Sequence, residues 1–282
     1  MQLQDRLVLV TGASSGIGEA TVKVMASRGA KVLLLARREA ELGRVATAIV
    51  AAGGDARPYT VDLSDPDDVA DVAARIRHDV GVPDVIVNNA GAGRWAPLAE
   101  TSPEEVRAMV TLPYLAAAYV TGAFLPEMVR RGSGHIASVT SPASYLAWPG
   151  ACGYIAARHA LRGFTDGLRA DLAGTGVGVT LVVLGTVESS YWAKHPGSRE
   201  NVPKPMPLVM PVLTTEQAAA TIVQGVESGT REIVRPRAFR ALFVLNALLP
   251  GMVARSMARP GGTSAHGVSA GREGPRTKAG GS

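Results

Sequence analysis

The sequence contains a single cysteine and few aromatic residues. Cys152 is alone among 282 residues, so the chain cannot form an internal disulfide or a metal site made of several thiolates. No positively charged segment followed by an apolar core and a cleavage site opens the chain, where a strand-like run begins almost at once. These absences predict no metal site and a reducing, cytoplasmic setting.

The sequence also lacks a concentrated basic region. Lysine and arginine number 29 against 24 acidic residues, which gives a formal net charge of +5 at pH 7. Such a balance is compatible with binding to nucleic acid or to an acidic membrane, but the cationic residues are scattered and no basic stripe alternates with aromatic side chains. We therefore expect no nucleic-acid partner and interpret the charge as a solvated surface with a basic tail.

Apolar runs of strand length alternate with amphipathic runs of helical spacing over most of the chain. This alternation predicts an α/β fold in which a parallel sheet carries helices on both faces. Hydrophobic residues make up 46% of the chain, which is enough for one large core. We expect one domain over residues 1–236, an apolar helical extension over residues 237–259 and a disordered tail over residues 260–282.

The extension is strongly apolar from Phe239 to Met257, is interrupted by Pro250-Gly251 and has arginines at its edges and within it. A membrane span needs ~20 consecutive apolar residues, so this segment is too short and too broken for one. It predicts a pair of helices that cover the mouth of the site or make a subunit contact. A helix that lies on a membrane surface is the alternative.

A glycine-rich turn, TGASSGIG over residues 11–18, joins the first apolar run to the first amphipathic run. Gly12 permits a tight turn, Gly16 lets the backbone approach a phosphate, and Gly18 lets the new helix pack close to the strand. The free N–H groups and the positive end of that helix then face the anion. The turn predicts a cradle for a dinucleotide pyrophosphate. The predicted contacts are Gly12, Ser14, Ser15, Gly16, Ile17 and Gly18.

Several ordered motifs together resemble the short-chain dehydrogenase/reductase family over about residues 5–235. The turn is similar to the family's TGxxxGxG, Asn88-Asn89-Ala90-Gly91 is similar to its NNAG element, and Ser141 and Tyr154 stand thirteen residues apart as its catalytic pair does. The resemblance implies a Rossmann-like doubly wound parallel sheet of about seven strands in the order 3-2-1-4-5-6-7, with helices on both faces. It also implies cofactor contacts from Asp62, Leu63, Asn89, Ala90, Gly91, Tyr154, Arg158, Gly185, Val187 and Ser189. For Asp62, capping of the following helix is an equally open interpretation.

The end of the second strand lacks an acidic residue. A carboxylate there would bind a ribose 2′-hydroxyl and repel a 2′-phosphate, whereas this chain has Arg37 and Arg38. A guanidinium suits a phosphate through its charge and its planar fork of donors. The sequence predicts NADP(H) in preference to NAD(H), with Arg37 as the main contact and Ser14 assisting it. The alternative is that both arginines only solvate the start of a helix.

The resemblance implies hydride transfer between a nicotinamide and a carbonyl or alcohol carbon. Tyr154 would act as the general acid and Ser141 would bind the carbonyl oxygen. The family's lysine is Arg158 here, one helical turn after the tyrosine, and an arginine keeps the charge but cannot release a proton at usable pH. The family's asparagine aligns near Thr111, which we include among the catalytic candidates, and Pro113 disturbs the helix there.

Aromatic residues concentrate where the family's substrate loops lie and favour an apolar substrate such as a lipid, steroid, terpenoid or aromatic polyketide. Ordinary loop packing is the alternative for each one. His159 and His195 are interpreted as structural or surface residues, because no partner spacing supports a catalytic role. The predicted substrate contacts are Trp95, Tyr145, Trp148, Tyr191 and Trp192.

The leading functional prediction is an NADP(H)-dependent oxidoreductase that acts on a hydrophobic carbonyl or secondary alcohol. The alternative is an NADP-binding protein with little or no redox activity that serves as a sensor or assembly partner, because both the lysine and the asparagine of the proton path are changed. The resemblance also implies a homodimer or homotetramer paired through helices near residues 103–131 and 152–173. A third hypothesis places the enzyme at a membrane through residues 239–257.

Overall fold

Seven parallel β-strands form the central sheet of the computed structural model, which describes residues 1–195, 197–202 and 210–258. The strands are β1 (Leu7–Thr11), β2 (Lys31–Ala36), β3 (Asp55–Thr60), β4 (Val85–Asn88), β5 (Gly134–Thr140), β6 (Val177–Leu184) and β7 (Glu232–Arg235). They stand in the order β3-β2-β1-β4-β5-β6-β7, and neighbouring strands are parallel. The predicted Rossmann-like fold and its strand order are confirmed.

Helices cover both faces of the sheet. In the described residues the α-helices are α1 (Gly16–Ser27), α2 (Glu39–Ala51), α3 (Pro66–Asp79), α4 (Pro103–Val110), α5 (Ala116–Arg131), α6 (Cys152–Asp171), α7 (Tyr191–Lys194), α8 (Ser198–Asn201), α9 (Thr215–Ser228), α10 (Ala238–Leu248) and α11 (Pro250–Ala258). Helices α1, α2 and α9 pack on one face, and α3, α5 and α6 pack on the other. The inner strands read as apolar runs because both of their faces are buried, whereas the edge strand β3 is largely exposed.

Strand β1 shows how the two cores are divided. Val8 and Val10 face the core under α1, α2 and α9, whereas Leu9 faces the core under α3, α5 and α6. Alternate residues of a strand point to opposite faces of the sheet, so an apolar residue is required at each position. The winding of the sheet reverses between β1 and β4, and in open α/β sheets the crevice at this reversal is where ligands bind.

The helix that begins at Pro103 is not regular throughout. A π-helical turn over Thr111–Leu115 joins α4 to α5 and contains Pro113. A proline inside a helix has no N–H to donate and its ring collides with a preceding carbonyl, so the chain widens into a π turn at this point. The predicted helix over residues 103–131 is therefore two α-helices separated by a wide turn.

One helix of the described chain, Pro103–Arg131, is long and apolar enough to cross a membrane, and the pair α10 and α11, bent by 118°, could count as a second span. Val120, Phe124 and Met128 of α5 are buried against the sheet, so this helix is part of the core. The pair α10 and α11 packs beside β6 and β7. The predicted disordered tail over residues 260–282 lies outside the described residues.

Candidate active site

The glycine-rich turn adopts the backbone that only glycine takes up easily. Gly12 has a φ of +69° and Gly16 a φ of +58°, in the left-handed region that L side chains rarely adopt. A Cβ at position 18 would collide with the carbonyl oxygen of Gly12, and one at position 12 would lie 3.1 Å from Cα of Ala90. The turn therefore brings β1, α1 and the loop after β4 into direct contact.

Thr11 fixes the loop after β4 against this turn. Its Oγ1 accepts hydrogen bonds from the N–H groups of Asn89 and Ala90, both at 3.0 Å. The side-chain amide of Asn89 in turn donates to the carbonyl oxygen of Thr11 at 3.0 Å. Because these bonds hold two loops at the reversal between β1 and β4, the cradle keeps its shape without a ligand.

A cavity of about 490 Å³ lies above this cradle. It is lined by most of the predicted cofactor contacts, and Arg38, Ala92, Leu112, Ser190 and His195 add further walls. The predicted contacts that line it are Gly12, Ser14, Ser15, Gly16, Ile17, Gly18, Arg37, Leu63, Asn89, Ala90, Gly91 and Ser189. The structure thus brings residues from the five loops after β1, β2, β3, β4 and β6 to one polar cleft.

The two arginines after β2 occupy one end of this cavity. Arg38 donates from Nη2 to Oγ of Ser14 at 3.1 Å, so the guanidinium that contacts the glycine-rich turn belongs to Arg38. Arg37 also lines the cavity, and its charge helps to lower the pKa of Asp62, after the hydrogen bonds from Ser64. The sequence favoured Arg37 because it could not tell which of two adjacent side chains turns toward the phosphate cradle.

Asp62 is used within its own loop. Its Oδ1 accepts from the N–H of Ser64 at 3.0 Å and from the hydroxyl of Ser64 at 2.7 Å. It is absent from the walls of the cavity, whereas Leu63 lies there. The N-cap of α3 is Asp65, whose side chain accepts from Asp67. Asp62 therefore shapes the turn before the helix, and Leu63 is the member of the pair that faces the cleft.

A second cavity, of about 380 Å³, adjoins the first. Its walls are mainly apolar side chains from the loops after β4, β5 and β6 and from the C-terminal helices. The two cavities share Ile17, Asn89, Gly91, Ser189 and Tyr191 as lining residues. A polar cleft and an apolar chamber thus meet along one common wall.

Tyr154 and Ser141 both line the apolar cavity. Tyr154 stands on the first turn of α6, is buried, and has its ring 5.5 Å from the ring of Trp95. Ser141 follows β5 directly, and its Oγ accepts from the N–H of Ala143 at 3.2 Å. Ser141 at the end of β5 and Tyr154 at the start of α6, thirteen residues apart in sequence, therefore line the same chamber.

Arg158 is buried, with 8% of its surface exposed, and lines the same cavity. Its Cζ lies 4.7 Å from the centre of the Tyr154 ring. Its Nε has no hydrogen-bond partner within the described residues, and a Cβ at Gly91 would lie 3.1 Å from Nη2. Because an unpaired buried charge is costly, this guanidinium is suited to a ligand that supplies acceptor oxygens.

Tyr191 and His195 connect the loop after β6 to the loop after β4. The Tyr191 hydroxyl donates to the carbonyl oxygen of Gly93, and Nε2 of His195 accepts from the N–H of Gly93 at 3.2 Å. Burial raises the pKa of Tyr191, so its phenol remains a donor. The two side chains form one wall of the cleft. Gly93 and His195 are 102 residues apart, and nothing in the sequence indicated that they are in contact.

Besides Asp62, two further predicted site residues line neither cavity. Thr111 lines neither cavity, because its hydroxyl donates to the carbonyl oxygen of Arg107 at 2.8 Å in its own helix. Tyr145 also lies outside the apolar chamber. Its ring stacks on Phe243 at 4.1 Å between ring centres, and its hydroxyl donates to Glu232. Both predictions are corrected, because neither side chain lines the predicted cavity and the hydroxyl group of each is bound by a neighbouring residue.

The other predicted substrate residues line the apolar chamber: Trp95, Trp148, Tyr191 and Trp192, together with the cofactor candidates Gly185 and Val187. Sequence reasoning missed the walls contributed by Thr140, Met210 and Pro211. His159 is exposed on α6, away from both cavities. Among the described residues, no three or more His, Cys, Asp or Glu side chains form a group that could hold a metal ion.

Comparison with known proteins agrees with this geometry. The short chain dehydrogenase family model matches residues 6–199. Dehydrogenase/reductase SDR family protein 7-like of Drosophila melanogaster is 35% identical over 192 residues, which are 67% of this chain and 59% of that protein. An uncharacterized oxidoreductase of Myxococcus xanthus is 32% identical over 235 residues, covering 83% of this chain and 89% of the relative. The chain thus spans about three fifths of the length of the Drosophila relative.

A solved structure gives the same result. A putative NAD(P) dependent gluconate 5-dehydrogenase from Beutenbergia cavernae, with bound NADP at low occupancy, superposes with a TM-score of 0.74 at 30% identity. The superposition covers 83% of this chain and 95% of that chain. The sheet order, the glycine-rich turn and the serine–tyrosine pair are therefore those of one family, and this chain belongs to the short-chain dehydrogenases.

Proposed function

We propose that the protein is an NADP(H)-dependent oxidoreductase that transfers a hydride between the nicotinamide and a carbonyl or secondary alcohol of an apolar substrate. The observation that carries this proposal is that the chamber lined by Tyr154, Ser141 and Arg158 shares a wall with the cavity above the glycine-rich turn. One cavity has the walls of a dinucleotide cradle, and the other has the walls of an apolar chamber. The phenol of Tyr154 lines the chamber that adjoins the cradle, where the reaction would need a proton.

The residues present fit a dinucleotide cofactor. The turn at Gly12 and Gly16 has the positive φ angles that favour glycine, and Gly16 and Ile17 at the positive end of α1 line the cleft. The guanidinium of Arg158, whose Nε has no hydrogen-bond partner within the described residues, suits the hydroxyl oxygens of a ribose. Ser189 lines both cavities, and Val187 lines the apolar one. The cofactor would supply the hydride when bound.

The end of β2 supports NADP(H) over NAD(H). Arg37 and Arg38 both line the polar cavity, and Arg38 is already oriented by Ser14. Among the residues that line this cavity none is acidic, so nothing there would repel a 2′-phosphate. Two guanidinium groups and a hydroxyl form a suitable set of donors for that phosphate.

The chain's own groups can hold and move the proton of the reaction. In the direction of reduction, Tyr154 would donate its hydroxyl proton to the carbonyl oxygen as that oxygen gains charge, and Ser141 would hydrogen-bond the same oxygen. The guanidinium of Arg158 near the Tyr154 ring would stabilise the phenolate that remains. Arg158 keeps its proton, so the phenol must be reprotonated from water and not through this side chain.

The shape and lining of the second cavity support an apolar substrate. Trp95, Trp148, Phe239, Leu242 and Met257 contribute to its walls. A volume of about 380 Å³ lies in the range of ligand pockets, roughly 300–1,000 Å³. Ser141, Tyr154 and Arg158 are among its polar walls, so a substrate would place its carbonyl beside them and its apolar body among the aromatic rings.

Steady-state oxidation of NADPH with a panel of apolar ketones and aldehydes tests the proposal. We expect turnover with at least one apolar ketone, and a kcat/KM at least about tenfold higher with NADPH than with NADH, because only NADPH offers a phosphate to the arginines. Small hydrophilic ketones serve as the control and should react poorly. Equal efficiency with both cofactors would contradict the assigned role of the β2 arginines.

A second candidate function is a cofactor-binding protein with little redox activity. It is favoured by two specific observations: Arg158 cannot release a proton, and the hydroxyl of Thr111 is bound within its own helix. The same panel separates the two functions. Tight NADPH binding without oxidation by any carbonyl compound would support the sensor and would overturn the proposed enzyme.

A further inference from the structure

The helix pair α10 and α11 is apolar on both of its sides. Phe239, Leu242 and Phe243 of α10 face inward, where they pack beside β6 and β7 or line the apolar cavity. The outward side carries Val244, Leu245 and Leu248, all of them exposed. A surface helix of a soluble domain normally has a polar outward side, so this pair departs from the rule.

The exposed apolar side chains of the described chain concentrate at the corner between these helices. Val244, Leu245, Leu248, Leu249 and Met252 are between 38% and 73% exposed. They account for five of the ten large hydrophobic residues that are exposed in the described part of the chain. We call these five residues the apolar corner; scattered single residues of this kind are ordinary, whereas a contiguous patch marks a contact surface.

The charge around the apolar corner has one sign. From Ile233 to Arg272 the sequence contains six arginines and no acidic residue. Arg240 and Arg255 are exposed on α10 and α11, and Arg240 donates to the carbonyl oxygen of Glu232, not to a carboxylate. An apolar surface on helices whose charged side chains are all cations complements the hydrocarbon and the anionic headgroups of a membrane.

The sequence from residue 259 to residue 282 has little that could cover this corner. Residues 259–282 contain one aliphatic side chain larger than alanine, Val268, together with three arginines and one lysine. This composition would add positive charge beside the corner but would bury little apolar surface. Residues 259–282 are therefore a poor cover for the corner.

We propose that the apolar corner docks on an anionic lipid surface, with Val244, Leu248 and Met252 inserted among the acyl chains and the arginines at the headgroups. The inward side of the same helices lines the apolar cavity through Phe239, Leu242 and Met257. Docking would therefore place the cavity wall against the bilayer. Entry of an apolar substrate by this route rests on the proposed function, but the docking itself does not.

Co-sedimentation of the NADPH-bound full chain with lipid vesicles tests the docking. The probes are vesicles of phosphatidylcholine alone and vesicles of phosphatidylcholine with phosphatidylglycerol. We expect binding to the mixed vesicles only, and we expect it to weaken as ionic strength rises. Absence of binding to the mixed vesicles, or equal binding to both kinds, would overturn the proposal. The assay needs no turnover, so its outcome is independent of the proposed enzyme activity.

A pair of double variants localises the contact. Leu248→Gln with Met252→Gln should lower the vesicle partition coefficient at least about tenfold, since it removes apolar side chains that would enter the bilayer. The matched control is Val50→Gln with Leu98→Gln, which changes residues that are 57% and 56% exposed elsewhere on the surface and should bind like the wild type. Retention of NADPH-dependent tryptophan quenching shows that both variants are folded.

Two results would assign the corner to another occupant. Undiminished vesicle binding by the Leu248 and Met252 variant would show that the corner is not the contact. A wild-type dimer in light scattering that the same variant converts to monomer, without vesicle binding by either protein, would show that a second copy of the chain covers the corner. Either result overturns the proposal.

Discussion

Single residues determine the proposed chemistry, and Arg158 is the one that differs most in character from the family pattern. The resemblance implied a lysine at this position, which could both stabilise a phenolate and pass on a proton. A guanidinium retains the first property and loses the second. Its burial, its position 4.7 Å from the Tyr154 ring centre and its unpaired Nε are all compatible with an electrostatic role and with a contact to a ribose.

Two substitutions of Arg158 separate the effect of its charge on activity from the effect of its planar shape. We expect Arg158→Lys to keep kcat within about threefold of the wild type or to raise it, because a cation remains beside Tyr154. The control Arg158→Met removes the charge and should lower kcat about a hundredfold. Both are measured by NADPH oxidation with the best ketone of the panel. A collapse of activity in Arg158→Lys would show that the planar fork of arginine is required.

Secondary-structure elements bring these residues together from distant parts of the chain. Parallel strands end at the same edge of the sheet, so the loops after β1, β4, β5 and β6 converge around the two cavities. The hydrogen bonds of Thr11 and of His195 then connect pairs of these loops. The parts of the strands and helices away from this edge stabilise the fold and do not line the cavities.

His135 on β5 is one such structural group and gives the fold a dependence on pH. Burial lowers the pKa of His135 to about 4, and its Nε2 lies 3.0 Å from the Thr180 hydroxyl. Below its ordinary pKa of about 6.5 the unfolded chain takes up a proton that the folded chain resists. The free energy of unfolding should therefore fall as pH falls from about 6.5 to about 4, by on the order of 3 kcal/mol.

Denaturant unfolding of the wild type and of His135→Asn across this pH range measures the effect. The variant should lose this part of the acid sensitivity, since asparagine can still bond to Thr180 but does not titrate. The exposed His159, changed to Asn, is the control and should leave the pH dependence of stability unaltered. A variant that remains as acid-sensitive as the wild type would assign the effect to other groups.

At the scale of the whole molecule, much of the fold could be predicted from the order of apolar and amphipathic runs. The glycine-rich turn could be placed from backbone requirements visible in its residues. The strand order and the roles of Ser141 and Tyr154 came from the resemblance to the family. The periodicity of apolar residues in the sequence indicates that a side chain is buried, but it does not show which other side chains surround it. For this reason Tyr145 was assigned to the substrate chamber, although it stacks on Phe243.

The remaining differences have the same physical origin. Thr111 fills the aligned position but bonds to its own helix, and Arg38, not Arg37, bonds to Ser14. These outcomes depend on rotamers and on contacts across the fold, which local sequence does not encode. For the C-terminal helices, the apolar character could be predicted from the sequence. Their division into a cavity wall and an exposed corner could not.

The most direct test of the account is the single-turnover rate of hydride transfer in Tyr154→Phe, measured together with the NADPH dissociation constant. Phenylalanine keeps the ring beside Trp95 and Arg158 and removes only the hydroxyl. The account predicts a rate at least about a thousandfold lower with NADPH affinity within about twofold of the wild type. The control Tyr114→Phe, at a residue that contacts Phe164 and lines neither cavity, should react normally. Turnover near the wild-type rate in Tyr154→Phe would contradict the central claim, because another group would then supply the proton.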